Sequence, residues 1–157
     1  MKLYLIRHAI AEEAQPDQPD AARALSAEGI ARFKGVVRGL KRLGVTFDHL
    51  YHSPLLRAVQ TADLLVGLLE GKSQVTPHLA TEPGPELLQE LYGETVALVG
   101  HEPWLGQLCA WLLTGQKEAS SFPFKKGGVA LLQGSPHPGQ MQLLGFWSPK
   151  LLRHLGE

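Results

Sequence analysis

The chain has 157 residues, of which 44% are hydrophobic and 19% are charged. This length and apolar content suit one folded domain with its own core, and they exclude an intrinsically disordered segment. Fifteen Lys and Arg residues balance fifteen Asp and Glu residues, so the formal net charge is zero. The chain therefore lacks the basic excess of a general nucleic-acid binder, and any affinity for anions must be local.

The cysteine content and the lengths of the apolar runs exclude further classes of protein. The single cysteine, Cys109, cannot form an intrachain disulfide, which excludes a Cys-rich zinc or secreted scaffold. No apolar run approaches the roughly 20 residues of a membrane helix. Arg7 and His8 interrupt the N-terminal apolar stretch before the core of a signal peptide is complete. We expect a single domain over residues 1–157, cytoplasmic, with neither a membrane nor nucleic acid as partner.

In chain order, short apolar runs alternate with helical patterns. The apolar runs predict strands at 3–6, 47–51, 95–100, 129–132 and 141–147, and Gly71 and Pro77 bracket a further brief strand or extended segment. Apolar residues at helical spacing predict helices after Ser26, over 54–69, over 83–91 and over 103–113. Strands that alternate with helices predict an α/β/α architecture around a largely parallel sheet.

Cationic and imidazole side chains follow three of these strands. Arg7 and His8 follow the first strand, Ser53 and Arg57 follow the second, and His101 follows the strand at 95–100. In an open parallel sheet, ligands bind outside the carboxyl ends of the strands. Two guanidiniums and two imidazoles that meet there would bind an anion, above all a phosphoryl group.

The two histidines suit different tasks. An imidazole whose Nδ1–H is held by a backbone carbonyl leaves Nε2 free to attack phosphorus, while arginines neutralise charge on the other oxygens. We expect His8 to be the nucleophile because it lies beside Arg7 at a strand end. His101, near a predicted helix start, is expected to stabilise the equatorial oxygens. The scheme needs no metal and no cofactor.

The remaining polar candidates are interpreted as structural. Ser53 is expected to cap the following helix rather than to bind a ligand. The five other histidines lack a spacing typical of a metal site. Cys109 lies in an apolar helical stretch and is expected to be a buried thiol. Trp104 is expected to pack in the core or to form part of a rim that faces the substrate.

Four segments resemble signatures of the histidine phosphatase superfamily. They are Leu5–Ala9 (LIRHA), Arg23–Gly29 (RALSAEG), Ser53–Ala62 (SPLLRAVQTA) and Val99–Gly106 (VGHEPWLG). The second of them is similar to the Arg-x-Leu-Ser/Thr-x-x-Gly segment of the superfamily's short branch. One departure is Ala9, which stands where the family usually has glycine.

The resemblance implies a phosphoglycerate mutase-like fold, which is a three-layer α/β/α sandwich with a mostly parallel central sheet, and a phosphoenzyme mechanism. It implies that His8 takes the phosphoryl group, that Arg7, Arg57 and His101 bind it, and that water then releases phosphate. Many members also place a carboxylic acid after the third strand to protonate the leaving group, and Glu82 is the nearest candidate.

The branch that the chain most resembles is the small phosphohistidine phosphatases of the SixA type, which act on phosphorylated histidine in signalling proteins. Only about 25 residues separate the helix at 54–69 from the strand at 95–100, which leaves little chain to roof the site. A shallow site suits a phosphohistidine on a folded protein, such as a histidine phosphotransfer domain, better than an enclosed small molecule.

Two other interpretations stay open. The same site could act on a small phosphomonoester, or the protein could be a non-catalytic module that binds phosphate. A mutase is disfavoured because it must exclude water while it retains the phosphoryl group.

Overall fold

The computed structural model describes residues 1–118 and 121–157. Its strands are β1 (Lys2–Arg7), β2 (Phe47–His52), β3 (Leu69–Val75), β4 (Thr95–Gly100), β5 (Val129–Gly134) and β6 (Met141–Trp147). Its helices are α1 (Ala27–Arg42), α2 (Leu56–Leu64), α3 (Pro85–Glu90), α4 (Trp104–Thr114) and α5 (Pro149–Leu155). Within the described ranges, no helix has both the length and the apolar character needed to cross a membrane.

The strands form one sheet in the order β3-β2-β4-β1-β5-β6. The pairs β2–β3, β2–β4 and β1–β4 are parallel, whereas β5 is antiparallel to both β1 and β6. Among the described strands, β5 alone therefore runs against the others. The predicted, mostly parallel α/β sheet is confirmed.

Helices cover both faces of the sheet because side chains alternate along each strand. In β1, Tyr4 and Ile6 belong to the core cluster that α1, α2 and α5 complete. Leu3 and Leu5 belong to the cluster on the other face, with α3 and α4. Strands buried on both faces explain the continuous apolar runs in the sequence.

The helix predicted over 54–69 was wrong at its C-terminal end. Helix α2 ends at Leu64, a 3₁₀ turn covers Val66–Leu68, and β3 begins at Leu69. The apolar spacing continues past Leu64, but Gly67 and Gly71 weaken a helix there. The edge strand β3 is mostly polar and exposed, so its sequence carries little strand pattern.

The C-terminal helix α5 was not predicted. The Ser148 side chain accepts a hydrogen bond from the Leu151 N–H, and Pro149 occupies the first turn. The helix packs on α1 and buries Leu152 completely. Contact is close because Gly39 has no side chain: a Cβ there would overlap the Leu152 carbonyl oxygen.

Candidate active site

Three neighbouring strands bring the predicted residues to one edge of the sheet. Arg7 ends β1 and His8 follows it, His101 follows β4, and Arg57 lies in the first turn of α2, shortly after β2. Strand β4 lies between β1 and β2, so the three strand ends are adjacent. His8 and His101 are each 4% exposed, and Arg57 is 7% exposed. The centres of the two imidazole rings are 5.1 Å apart.

The ring of His8 is held through Nδ1, which lies 2.7 Å from the carbonyl oxygen of Ala9. A carbonyl oxygen can only accept, so Nδ1 carries the hydrogen and Nε2 keeps its lone pair. The backbone around it is also fixed, because the His8 N–H donates to Gly100 and the Ala9 N–H donates to the Thr61 hydroxyl. The tautomer expected of a nucleophilic histidine is therefore in place.

The ring of His101 is held through the other nitrogen. Its Nε2 lies 2.6 Å from the Ser53 hydroxyl oxygen. Its Nδ1 is buried and has no partner among the described residues. Trp104 presents its ring at right angles to that of His101, with 6.4 Å between the ring centres. Trp104 thus borders the site, in agreement with one of its two expected roles.

The guanidinium of Arg57 is anchored by Asp20, in a 3₁₀ turn of the loop before α1. Arg57 Nη1 donates to the Asp20 carbonyl oxygen and Nη2 donates to its Oδ2, both at 2.9 Å. The same carboxylate accepts from Arg23, at 3.0 Å from Nη2. These hydrogen bonds lower the pKa of Asp20. Arg57 Nε is left buried without a partner among the described residues.

Arg7 is anchored by a different segment of the chain. Its Nη1 donates to the Phe124 carbonyl oxygen at 2.7 Å, and its Nε is buried with no partner in the described part of the chain. The carboxylate of Glu102 lies near enough to oppose the lowering of the Arg7 pKa by burial. That carboxylate also accepts from the Gly106 N–H at 2.7 Å, in the first turn of α4.

Both imidazoles are neutral at physiological pH. Burial, together with the positive charges of Arg57 and Arg7, lowers the pKa of His8 to about 3 and that of His101 to about 4. The Ala9 carbonyl and the Asp20 carboxylate oppose these shifts only in part. A neutral His8 keeps the lone pair that a nucleophile needs.

The cluster contains three buried nitrogens that lack a partner within residues 1–118 and 121–157: Arg7 Nε, Arg57 Nε and His101 Nδ1. A buried donor without an acceptor costs free energy, so such groups in a folded protein point to a missing ligand or water. Two of the three belong to cations. The arrangement suits an anion with several acceptor oxygens, such as a phosphoryl group.

Glu82 lies at the edge of this site. Its side chain is 67% exposed and lies 3.7 Å from the Lys117 ammonium group. Its neighbours Thr81 and Pro83 line a small cleft together with His101. Among the described residues, no hydrogen bond joins Glu82 to the two arginines or the two histidines. Its role as general acid stays a prediction.

Sequence reasoning missed two contributors to the site. Asp20 was not among the predicted site residues, because nothing local in the sequence indicates its contact with Arg57, 37 residues away. Ser53 was interpreted as the cap of the following helix, which was wrong, because α2 begins at Leu56 with Leu55 as its N-cap residue and no side-chain cap. The Ser53 hydroxyl accepts from the Leu55 N–H at 3.2 Å, before the helix, and contacts His101. The position of Ser53 just after a strand was the available indication.

The other candidates lie outside the site. Cys109 is buried in α4, and burial raises the pKa of its thiol to about 12, as expected for a structural thiol. His49 stacks on Tyr51 with ring centres 4.7 Å apart. Within the described ranges, no three His, Cys, Asp or Glu side chains are grouped so that they could hold a metal ion.

Comparison with known proteins identifies the class of this fold and site. The sequence matches the histidine phosphatase superfamily, branch 1, over residues 3–82. An uncharacterized protein of Picosynechococcus sp. is 34% identical over 137 residues, which cover 82% of each chain. The chain belongs to the histidine phosphatase superfamily, as its motifs predicted.

Solved structures share the whole fold. The protein histidine phosphatase SixA, complexed with tungstate, has a TM-score of 0.78 and 24% identity, with 96% of this chain and 98% of that chain covered. The alpha-ribazole phosphatase from Shigella flexneri has a TM-score of 0.72 and 20% identity, with 95% and 97% covered. The predicted phosphoglycerate mutase-like fold and the resemblance to SixA are confirmed.

Proposed function

We propose that this protein is a phosphatase that removes the phosphoryl group from phosphohistidine on a partner protein, with His8 as the nucleophile. The observation that carries the proposal is a neutral His8 held through Nδ1, in a cluster with three buried nitrogens that lack partners among the described residues. A nucleophile and a set of donors for phosphoryl oxygens are the two parts that this reaction requires.

In the first step, the Nε2 lone pair of His8 forms a bond to phosphorus. The bond between phosphorus and the leaving nitrogen breaks, and its electron pair stays on the leaving imidazole, which takes up a proton. Arg7, Arg57 and His101 donate to the three equatorial oxygens, whose charge is spread in the transition state. The Ala9 carbonyl accepts from Nδ1–H and stabilises the positive charge that forms on the His8 ring.

In the second step, a water oxygen attacks phosphorus. The bond between phosphorus and His8 Nε2 breaks, its electron pair returns to Nε2, and one proton of the water passes to solvent. Inorganic phosphate leaves, and His8 is again neutral. The same three donors serve both steps because the phosphoryl oxygens keep their positions while the attacking group changes.

Phosphohistidine is favoured as substrate by the small amount of chain over the site. Between α2 and β4 the structure has only the edge strand β3, two 3₁₀ turns and the six-residue helix α3. That leaves the site accessible to a phosphorylated side chain on a folded surface. The fold itself does not separate substrates, since both SixA and an alpha-ribazole phosphatase share it.

Glu82 is proposed as the acid that protonates the leaving group. A phosphohistidine leaves as a basic imidazole that solvent can protonate, whereas an alkoxide needs an acid more strongly. We expect Glu82→Gln to reduce the turnover of small phosphomonoesters by more than it reduces that of a phosphohistidine protein. Equal reductions for both substrates would contradict this role.

The proposal is tested by comparing kcat/KM for a histidine-phosphorylated phosphotransfer domain with kcat/KM for a panel of small phosphomonoesters. The expected result is a higher value for the protein substrate and no turnover by His8→Ala. A higher kcat/KM for a phosphomonoester would agree with the proposed chemistry but would overturn phosphohistidine as the substrate. Phosphate binding without turnover, with His8→Ala indistinguishable from the parent, would indicate a non-catalytic module.

A further inference from the structure

Ser53 is completely buried between β2 and α2, and its hydroxyl oxygen makes two contacts. It accepts from the Leu55 N–H at 3.2 Å, and it lies 2.6 Å from Nε2 of His101. The Ser53 backbone N–H donates to the Val99 carbonyl oxygen, two residues before His101. Serine and histidine are therefore fixed to each other by the strand pair β2–β4 as well as by their side chains.

Hydrogen-bond accounting with an anion in the site indicates which way the proton lies between Ser53 and His101. A hydroxyl has one hydrogen to donate, and within the described residues the Ser53 oxygen has no acceptor other than His101 Nε2. If Nε2 carried the hydrogen, the hydroxyl hydrogen would be buried without an acceptor, which costs free energy. If the hydroxyl donates to the Nε2 lone pair, the one hydrogen left without an acceptor is instead that on His101 Nδ1, and an oxygen of a bound phosphoryl group can accept it.

The second arrangement fixes the tautomer of the ring. A neutral imidazole has one N–H, so an Nε2 that accepts from Ser53 leaves the hydrogen on Nδ1. Nδ1 is the buried nitrogen that lacks a partner. His8 is held in the same tautomer, but by its Nδ1–H, so it offers a lone pair to the site where His101 offers a donor.

We propose that Ser53 is a positioning residue that holds His101 in the Nδ1–H tautomer, so that this ring donates a hydrogen bond to the phosphoryl group. The proposal rests on the proposed function for the identity of the anion. Without the serine hydroxyl, His101 can shift its hydrogen to Nε2, and the Nδ1 lone pair then repels a phosphoryl oxygen. The effect is expected on kcat, because charge on those oxygens is redistributed in the transition state.

The direct test is two-bond ¹H–¹⁵N NMR of ring nitrogens in protein labelled at histidine, with His101→Gln to assign the signals. In the parent we expect His101 in the Nδ1–H form. In Ser53→Ala we expect the Nε2–H form or a mixture, and in Ser53→Thr, which keeps the hydroxyl, the parent pattern. An Nε2–H form in the parent, which needs no variant to fold, would overturn the proposal; so would a Ser53→Ala spectrum like that of the parent.

Kinetic measurements separate the positioning of His101 by Ser53 from a local structural role of the Ser53 hydroxyl. Ser148→Ala is the matched control, because the Ser148 hydroxyl likewise accepts from a backbone N–H a few residues along the chain, at 3.1 Å from Leu151 N, but contacts no histidine of the site. We expect Ser53→Ala to lower kcat roughly 10–100-fold, as loss of an outer-shell hydrogen-bond partner does at metal sites, with a small change in KM. Ser148→Ala is expected to leave kcat unchanged.

Equal kcat values for Ser53→Ala and the parent would overturn the positioning role. A parent with no turnover of any phosphate compound would overturn the proposed function instead, and the NMR result would still decide the tautomer.

Discussion

His8 and His101 differ in the nitrogen that each uses to bond the protein. A backbone carbonyl holds Nδ1 of His8, whereas a serine hydroxyl holds Nε2 of His101. The two arginines are likewise held by different partners, one by Asp20 and the other by the Phe124 carbonyl. Each of the four side chains is held by at least one hydrogen bond to the protein, which keeps the site ordered before an anion binds.

Asp20 provides a test of this anchoring. Asp20→Ala removes the Oδ2 acceptor from Arg57 and leaves its main-chain contact, so the guanidinium is less well fixed. Because Asp20 is 60% exposed, we expect a loss of only about 1 kcal/mol of transition-state stabilisation, or roughly five- to tenfold in kcat/KM. The control is Asp17→Ala, an exposed carboxylate in the same loop. An increase in kcat/KM would instead show that Asp20 competes with the phosphoryl group for Arg57.

At the scale of elements, adjacency in the sheet assembles the site. Residues that lie far apart in the chain meet because β4 lies between β1 and β2 and all three end at the same edge. These three strands are buried on both faces, so their apolar runs are clear in the sequence. Helices α1, α2 and α5 cover one face, and α2 supplies the site with Arg57 and with the Thr61 hydroxyl that accepts from the Ala9 N–H.

Packing of α5 on α1 is expected to matter for stability and not for catalysis. Gly39→Ala places a Cβ against the Leu152 carbonyl oxygen, so α5 must move away from α1. We expect the free energy of unfolding to fall by about 1–3 kcal/mol, as for overpacking in a core. Urea denaturation measures it, and kcat at 25 °C should equal that of the parent.

Gly67→Ala is the control for this substitution, because nothing lies within 4 Å of a Cβ at that position. It is expected to change the free energy of unfolding by less than about 1 kcal/mol. An unfolding free energy for Gly39→Ala as high as that of the parent would contradict the close contact between the two helices.

The parts of the fold that sequence predicted are those with local signals. Strands β1, β2 and β4 have apolar runs, and α1 follows its predicted N-cap, Ser26, whose hydroxyl accepts from the Gly29 N–H. The predicted start of β3 was too late in the chain, because an exposed edge strand needs no apolar alternation that would mark it. Helix α5 has seven residues, too short for a periodic pattern to stand out.

The residues of the site that could be predicted are likewise those with a local signal in the sequence. His8, Arg57 and His101 follow recognisable strands or open a helix, so their meeting followed from topology. Asp20 and the second contact of Ser53 depend on side chains that meet across 37 and 48 residues, and no local pattern encodes such pairs.

The formal net charge of the whole chain is zero, but the site has an excess of positive charge. Arg7, Arg23 and Arg57 all act on the pKa of His101, and Asp20 opposes them. Binding of a phosphoryl group must therefore depend on the charges close to the site, because the protein as a whole is nearly neutral. Since the attraction is short-ranged, added salt should weaken association less than it does for a protein with a large net charge.

The buried histidines also make stability depend on pH. Their pKa values are about 3 and about 4 in the folded protein and about 6.5 when unfolded. Below pH 6.5 the unfolded chain therefore binds more protons than the folded one, so the stability contributed by the neutral rings is present above pH 6.5 and is lost as pH falls toward these values. We expect the free energy of unfolding to decrease from pH 7 to pH 5, by up to about 1.4 kcal/mol per pH unit for each histidine.

Urea denaturation at several pH values measures this slope. The variants His8→Phe and His101→Phe should each reduce it, because each removes one of the two rings that must stay neutral in the folded state. A slope between pH 7 and pH 5 that is the same in the parent and in both variants would contradict the assignment of the depressed pKa values.

Nucleophilic attack by His8 is tested most directly by mass spectrometry of the protein, quenched rapidly at neutral to alkaline pH after it is mixed with a phosphohistidine-bearing protein. We predict an adduct of roughly 80 Da, the mass of one phosphoryl group, on His8 of the parent and none on His8→Ala. Phosphate release by His8→Ala at the rate of the parent, or an adduct on a different residue, would contradict it.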